Sequence, residues 1–237
     1  MTVFRVFRHT PGDTTQPKFV DYTVETPPGT TVLDGLFRIK HETDGTLAFR
    51  SSCRSAICGS CAMNINGVNR LACNTQTADL GAVVRVEPLP GYAVFRDLVV
   101  DLEPFWRQYR SVNPYLQPRS PRPAEEWFQS WEERRILESP GQCIMCAACT
   151  SACPVTWTDP RYLGPASLVK VWRFVADSRD GAREERLASV TNEAGLWRCH
   201  TIFRCVDACP KHIHSTDAIM HLRRAVVRSR LGRRRGG

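Results

Sequence analysis

Eleven cysteines constrain this chain more than any other feature of its 237 residues. They stand at Cys53, Cys58, Cys61, Cys73, Cys143, Cys146, Cys149, Cys153, Cys199, Cys205 and Cys209, bunched in three stretches with long cysteine-free intervals between them. An odd number of thiols cannot all pair as disulfides, and isolated buried cysteines would be scattered. No apolar run approaches the ~20 residues that a membrane-spanning helix needs. Met1-Thr2-Val3-Phe4-Arg5 leads straight into strand-like alternation rather than a signal peptide. The expectation is a soluble protein in a reducing cytosol whose clustered thiolates ligate metal.

The spacings divide the cysteines as four, four and three. Cys53-x4-Cys58-x2-Cys61, followed by Cys73, is the plant-type ferredoxin spacing that binds a [2Fe–2S] cluster. The residues around them are small (Ser52, Ser55, Ala56, Gly59, Ser60, Ala62), so a loop can bring its backbone N–H groups close to the sulfurs. A four-thiolate zinc site is the alternative, but zinc motifs usually present two C-x2-C knuckles and this group has one. Cys143-x2-Cys146-x2-Cys149-x3-Cys153-Pro154 is the bacterial ferredoxin run, whose fourth cysteine ligates the other cluster in two-cluster proteins. Its partner is Cys199-x5-Cys205-x3-Cys209-Pro210, the same run with Ile202 where the second cysteine would stand. Crossing the fourth ligands assigns Cys143, Cys146, Cys149 and Cys209 to a [4Fe–4S] cluster. Cys153, Cys199 and Cys205 remain for a [3Fe–4S] cluster, because an apolar isoleucine does not readily hold a fourth iron. Two structural zincs with stray thiols would leave the prolines and the crossed spacing unexplained.

The chain reads as an α+β protein in two parts, 1–105 and 106–237. In the first, Thr2–Arg8 and Phe19–Glu25 alternate with period two around a Pro/Gly/Thr-rich turn and form a hairpin. Thr30 or Thr31 caps a helix through Val32, Leu33, Leu36 and Ile39, and Val83–Glu87 is a further strand. In the second, Asn113–Pro123 is a Pro-rich linker, and helices are expected over Ala124–Leu137, Pro165–Asp177 and Ser215–Arg228. The net charge is +8, yet Leu222–Gly237 alone holds seven arginines and no acid. That tail suits anionic headgroups or an acidic partner, and equally a solvated, frayed end. Without interleaved aromatics it gives no support to a nucleic-acid partner.

These three motifs in this order resemble the iron–sulfur subunit of succinate dehydrogenases and fumarate reductases over nearly the whole chain. Beyond the cysteines the resemblance includes Asp44-Gly45-Thr46-Leu47-Ala48-Phe49-Arg50-Ser51-Ser52-Cys53, Gly164-Pro165-Ala166, Asp177-Ser178-Arg179-Asp180 and Trp197-Arg198-Cys199-His200. It implies an N-terminal β-grasp (plant-type) ferredoxin domain followed by an all-α bacterial-type ferredoxin domain. It also implies a flavoprotein partner with covalent FAD and one or two membrane-anchor subunits, which often carry haem b. The anchors would hold this chain peripherally on the cytoplasmic face of the inner (plasma) membrane. Electrons would pass from flavin through the three clusters to quinone, in the direction of succinate oxidation or, in a quinol:fumarate reductase, the reverse. No residue of this chain is expected to do acid–base chemistry on succinate. A heterodisulfide-reductase-like carrier would usually have two complete bacterial runs, and a structural zinc protein would be colourless.

The same resemblance implies a quinone end lined by Pro154, Trp157, His200 and Ile202, with Arg223 standing where many members have lysine near haem or quinone. Ubiquinone-linked members usually carry two consecutive tryptophans after the Cys-Pro, whereas this chain has Trp157-Thr158, with Val155 following Pro154. The missing indole removes a donor and a flat surface, which favours a low-potential quinone such as menaquinone. Some members have aspartate at the third [2Fe–2S] ligand position; here it is Cys61.

Overall fold

The computed structural model describes residues 1–12, 18–119 and 121–235, with side chains through Leu231. The chain divides into two compact units. The first comprises Met1–Leu102, Ile144–Ala152 and Ala208–Pro210; the second comprises Glu103–Cys143, Cys153–Asp207 and Lys211–Gly237.

The first unit is built on a mixed five-stranded sheet in the order β2-β1-β5-β3-β4. β1 (Thr2–Arg8) and β2 (Lys18–Val24) form the expected antiparallel hairpin, although residues 13–17 of its turn lie outside the described residues. β5 (Val83–Glu87) joins β1 in parallel. A second hairpin, β3 (Ala62–Ile65) with β4 (Val68–Leu71), completes the sheet and follows directly on the first cysteine loop. Its two-residue turn is Asn66-Gly67, both at positive φ, which matches the twist of a tight hairpin. A short pair, β6 (Val94–Arg96) and β7 (Val99–Val100), lies outside this sheet.

Helix α1 (Val32–Arg38) starts at Thr31 because a capping box closes there. Thr31 Oγ1 accepts the Asp34 N–H, and the Asp34 carboxylate accepts the Thr31 N–H. Its apolar face (Val32, Leu33, Leu36), extended through Ile39 in a π-turn, packs on inward residues of the sheet such as Phe4, Val6, Val84, Val86, Met63 and Ile65. Each such side chain stabilises the fold by about 1.5–3 kcal/mol through removal from water. Gly35 permits the contact, since a Cβ there would meet the Phe4 ring at 2.2 Å. The approach to the first cysteine loop is pinned by the buried Asp97. Its carboxylate accepts Arg8 Nε at 3.0 Å and the backbone N–H groups of His9 at 3.0 Å and Ala48 at 2.9 Å.

The second unit is helical. α2 (Glu103–Arg110) opens it, and α3 (Trp131–Gly141) follows. The helix expected from Ala124 thus begins seven residues later. Ser130 and Glu133 form a reciprocal capping box that fixes the start, while Ala124–Gln129 stays irregular. Two single-turn helices, α4 (Ala148–Ser151, within the first unit) and α5 (Pro154–Thr158), flank Cys153. α6 (Gly164–Val175) and α9 (Ser215–Arg235) pack through Leu168, Val171, Val175, Ile219, Leu222 and Val226, with Leu187 of α7 (Arg183–Ser189) and Leu196 closing the core. α8 (Arg204–Asp207) completes the set. Far from fraying at Leu222, the helical backbone of the arginine-rich tail continues through Arg235; Gly236 and Gly237 lie outside the described residues. Among the described residues no helix is long and apolar enough to cross a membrane. A mixed sheet with one packed helix, plus a helical unit, is an α+β architecture.

Candidate metal centres

All eleven cysteines are free of disulfides. In the first loop the backbone wraps the thiols. Cys53 Sγ accepts N–H bonds from Cys58 at 3.2 Å, Ile57 at 3.3 Å and Ser55 at 3.4 Å; Cys73 Sγ accepts that of Ala56 at 3.3 Å, and Cys58 Sγ that of Cys53 at 3.4 Å. Arg54 and Ala56 take positive φ to turn these groups inward. The N–H groups of Ser55, Cys58 and Ile57 lower the Cys53 thiol to about 6, because they solvate the thiolate. Burial does the reverse at Cys61, pushing its thiol up to about 12. A buried thiolate at Cys61 needs a cation beside it, and a bound iron supplies one. Thiol donors with backbone N–H groups aimed at the sulfurs of Cys53, Cys58 and Cys73 are chemistry that fits an iron–sulfur cluster.

The second and third loops share one backbone design. Residues two and four positions after the leading cysteine have positive φ in both: Met145 (56°) and Ala147 (64°) after Cys143, Thr201 (55°) and Phe203 (67°) after Cys199. A four-residue helix then begins five positions after the leading cysteine in each, α4 at Ala148 and α8 at Arg204. Non-glycine residues rarely adopt positive φ, so two such pairs at matched offsets mark a repeated and constrained structure. Within that frame Ile202 occupies the place of Cys146. The fit to iron–sulfur clusters is supported at both loops. The Tyr92 hydroxyl is buried without a hydrogen-bond partner among the described residues, and its pKa is raised by burial and by the nearby Cys149 and Cys146. A cluster sulfide would give that hydroxyl an acceptor. In the third loop Cys199 Sγ accepts the Thr201 N–H at 3.4 Å, and burial pushes the Cys205 thiol up to about 12.

A small recess open to solvent gathers Cys153, Cys199 and Cys205 with Pro154, His200 and Ile202. Three of the five residues expected at the quinone end thus share one cavity with the three cysteines left for the last cluster. Trp157 and Arg223 are not among its lining residues. Trp157 stands half-exposed on α5. Arg223 turns its guanidinium to the carbonyl oxygens of Cys199 and Leu196, over the Trp197 ring. Thr158, where a second indole was missed, donates its hydroxyl to the Val155 carbonyl at 3.2 Å, back into its own helix turn.

Residues 3–107 match the family described as a 2Fe-2S iron-sulfur cluster binding domain, and residues 135–210 match the 4Fe-4S dicluster domain. Over 94% of this chain and 87% of the relative, the sequence is 45% identical to the succinate dehydrogenase iron-sulfur subunit of Paracoccus denitrificans. The chain belongs to the succinate dehydrogenase iron–sulfur subunit family. A chain of the Mycobacterium smegmatis Sdh1 complex in the apo form has the same fold, with a TM-score of 0.87 and 30% identity over 96% of both chains. As a family member the chain is an electron-transferring subunit of an oxidoreductase, with domains for [2Fe–2S] and [4Fe–4S] clusters.

Several residues around the centres escaped the sequence reading. Tyr92 lies 19 positions past Cys73, and Asn69, four positions before it, reaches a loop 79 residues further on; nothing in their neighbours marks either residue. The β3–β4 hairpin was legible in principle, since Asn66-Gly67 between apolar alternations is a strong hairpin signal.

Proposed function

We propose that this chain is the electron wire of a succinate:quinone oxidoreductase, carrying electrons from the FAD of a flavoprotein partner to a membrane quinone. In this reading the first part of the chain, to about residue 105, is a β-grasp ferredoxin domain, and the remainder is an all-α bacterial-type ferredoxin domain. Cys53, Cys58, Cys61 and Cys73 hold [2Fe–2S]. Cys143, Cys146, Cys149 and Cys209 hold [4Fe–4S], and Cys153, Cys199 and Cys205 hold [3Fe–4S]. Iron–sulfur clusters supply one-electron steps between a two-electron flavin and a two-electron quinone, at potentials set by charge, hydrogen bonds and burial. The chain's own part is to fix the spacing of the centres, aim N–H groups at the thiolates and shield them from water.

The observation that carries this reading is the shared backbone of the second and third loops with Ile202 in the place of Cys146. The same repetition disfavours a heterodisulfide-reductase-like carrier, which calls for a second complete run. It also disfavours stray zinc sites, which have no reason to repeat. The quinone end is the recess at Pro154, His200 and Ile202, and Trp157 and Arg223 are assigned to the same end. The quinone is a low-potential type such as menaquinone, supported by Thr158 in the place of an indole. One or two anchor subunits, with or without haem b, hold the chain on the cytoplasmic face of the inner membrane. A quinol:fumarate reductase would use the same wire in the other direction.

The test is the EPR spectrum of the purified complex as isolated in air. Oxidised [2Fe–2S] and [4Fe–4S] centres are silent, while an oxidised [3Fe–4S] centre is paramagnetic. A narrow signal near the free-electron value, lost on adding succinate, is expected; an intact brown sample without it refutes the four-four-three assignment. Quinone extraction from the same sample checks the quinone class, and ubiquinone alone would refute the menaquinone reading.

A further inference from the structure

Gly59 lies inside the first cysteine loop, between Cys58 and Cys61, with φ +75°. The first unit also takes in Ile144–Ala152, and there the glycine packs directly on the second loop. A Cβ at position 59 would stand 2.8 Å from Cys146 Cβ, 3.0 Å from Cys146 Cα and 3.0 Å from the Ile144 carbonyl oxygen. These are backbone atoms or the first side-chain atom, so none can swing aside. The second loop is also held from behind. Cys146 packs against the core of the unit. The buried Asn69 of β4 donates to the Ala148 carbonyl at 3.0 Å, and Ser151 donates to the Pro90 carbonyl at 2.6 Å. A side chain at position 59 could be accommodated only by moving one cysteine loop away from the other.

We propose that Gly59 is a positioning residue for electron transfer: its bare backbone seats the first cysteine loop against Cys146 and so sets the gap between the first and second centres. The inference rests on the ligand assignment given above. The step it governs moves one electron, oxidising the centre held by Cys53, Cys58, Cys61 and Cys73 and reducing the one that includes Cys146. No bond forms or breaks, and no proton moves. The flavin of the complex supplies the electron and the quinone removes it. Tunnelling weakens exponentially with separation and is poorest across non-bonded gaps. The route Cys58 to Gly59 to Cys146 contains a single non-bonded step, across a gap too narrow for a Cβ on residue 59.

Gly67 provides the control. It too has positive φ (+81°), in the β3–β4 turn of the same unit, but a Cβ there meets nothing among the described residues within 4 Å. Gly59→Ala and Gly67→Ala therefore impose similar backbone strain, and only the first adds a clash with Cys146. Both are compared with the parent in the assembled complex. Iron content and the EPR line shape of reduced [2Fe–2S] report whether the first centre is intact. The relaxation rate of that signal, with the second centre reduced, reports their separation without turnover, since dipolar relaxation follows the inverse sixth power of distance. Gly59→Ala is expected to keep the line shape, lose relaxation enhancement and slow succinate-to-quinone electron transfer, with Gly67→Ala unchanged in all three. Parent-like relaxation in an intact Gly59→Ala, or an equal change in Gly67→Ala, overturns the proposal. If Gly59→Ala alone fails to load iron, it is combined with Asn69→Leu, which frees the second loop to move back from the added Cβ; there too loss of enhancement supports the proposal and a parent-like rate overturns it. Absence of either cluster signal from the parent would instead sink the ligand assignment.

Discussion

The guanidinium of Arg223 donates to the carbonyl oxygen of Cys199 at 2.6 Å. A second bond, to Leu196 at 3.3 Å, and the Trp197 ring at 5.7 Å fix the same side chain from α9 onto the third cysteine loop. A positive charge therefore sits on the backbone of Cys199, a proposed ligand of the last centre. Such a charge favours the more negative, reduced state of a cluster. Arg223→Met is expected to lower the midpoint potential of the [3Fe–4S] centre in an EPR redox titration. Arg223→Lys should lie between, because a lysine keeps the charge and loses the fork that spans two carbonyls. A midpoint unmoved by Arg223→Met would leave the residue with a packing role only.

Ile202 is half-exposed in the recess, and its flanking residues already hold the backbone that presents Cys146 in the second loop. Ile202→Cys should therefore complete a four-cysteine site. The expected outcome is loss of the as-isolated three-iron signal, one additional iron per chain, and slower quinone reduction. Retention of the signal with a free thiol at 202 would mean that the side chain does not point at the cluster.

Asp180 and Arg186 form a buried pair at 2.8 Å, with side chains 0% and 3% exposed. Arg186 also donates to the carbonyls of Asn113 at 2.8 Å and Tyr115 at 2.7 Å, so the pair ties the Pro-rich segment to the helices. Asp180→Ala strands a buried guanidinium and should cost about 3–5 kcal/mol. The check is a lowered unfolding temperature of the cluster-loaded protein, with faster proteolysis between Asn113 and Pro123. Parent-like behaviour would show that solvent reaches the arginine.

Asp177 titrates against the trend of its burial. Burial alone would raise its pKa, but hydrogen bonds from Arg179 and Arg173 hold the carboxyl well below the usual carboxylate range. A depressed folded-state pKa means that its stabilisation is present above the unfolded value of about 3.9 and is lost as pH falls below it. Asp177→Asn should therefore unfold at lower temperature than the parent at pH 7, with the gap closing as the pH drops through 4. A gap independent of pH would assign the loss to shape rather than charge.

Much of this was written in the order of the residues. Cysteine spacing is a local property, set by how far a short loop reaches around a metal, so the three motifs and the gap at Ile202 could be read without a fold. The first hairpin, α1 and β5 were legible for the same reason, since period-two alternation and a cap are short-range signals. The start of α3 was misread because the charges of Ala124–Gln129 resemble a helix surface, while the deciding bonds belong to Ser130 and Glu133. The sequence by itself thus determined the family, the metal-binding residues expected of it and the α+β class. Only the tertiary structure decided that Gly59 meets Cys146, that Asn69 braces Ala148 and that Arg223 faces Cys199. Each of those contacts joins residues at least 24 positions apart, and close approach across such separations depends on how whole elements pack, which no local pattern encodes.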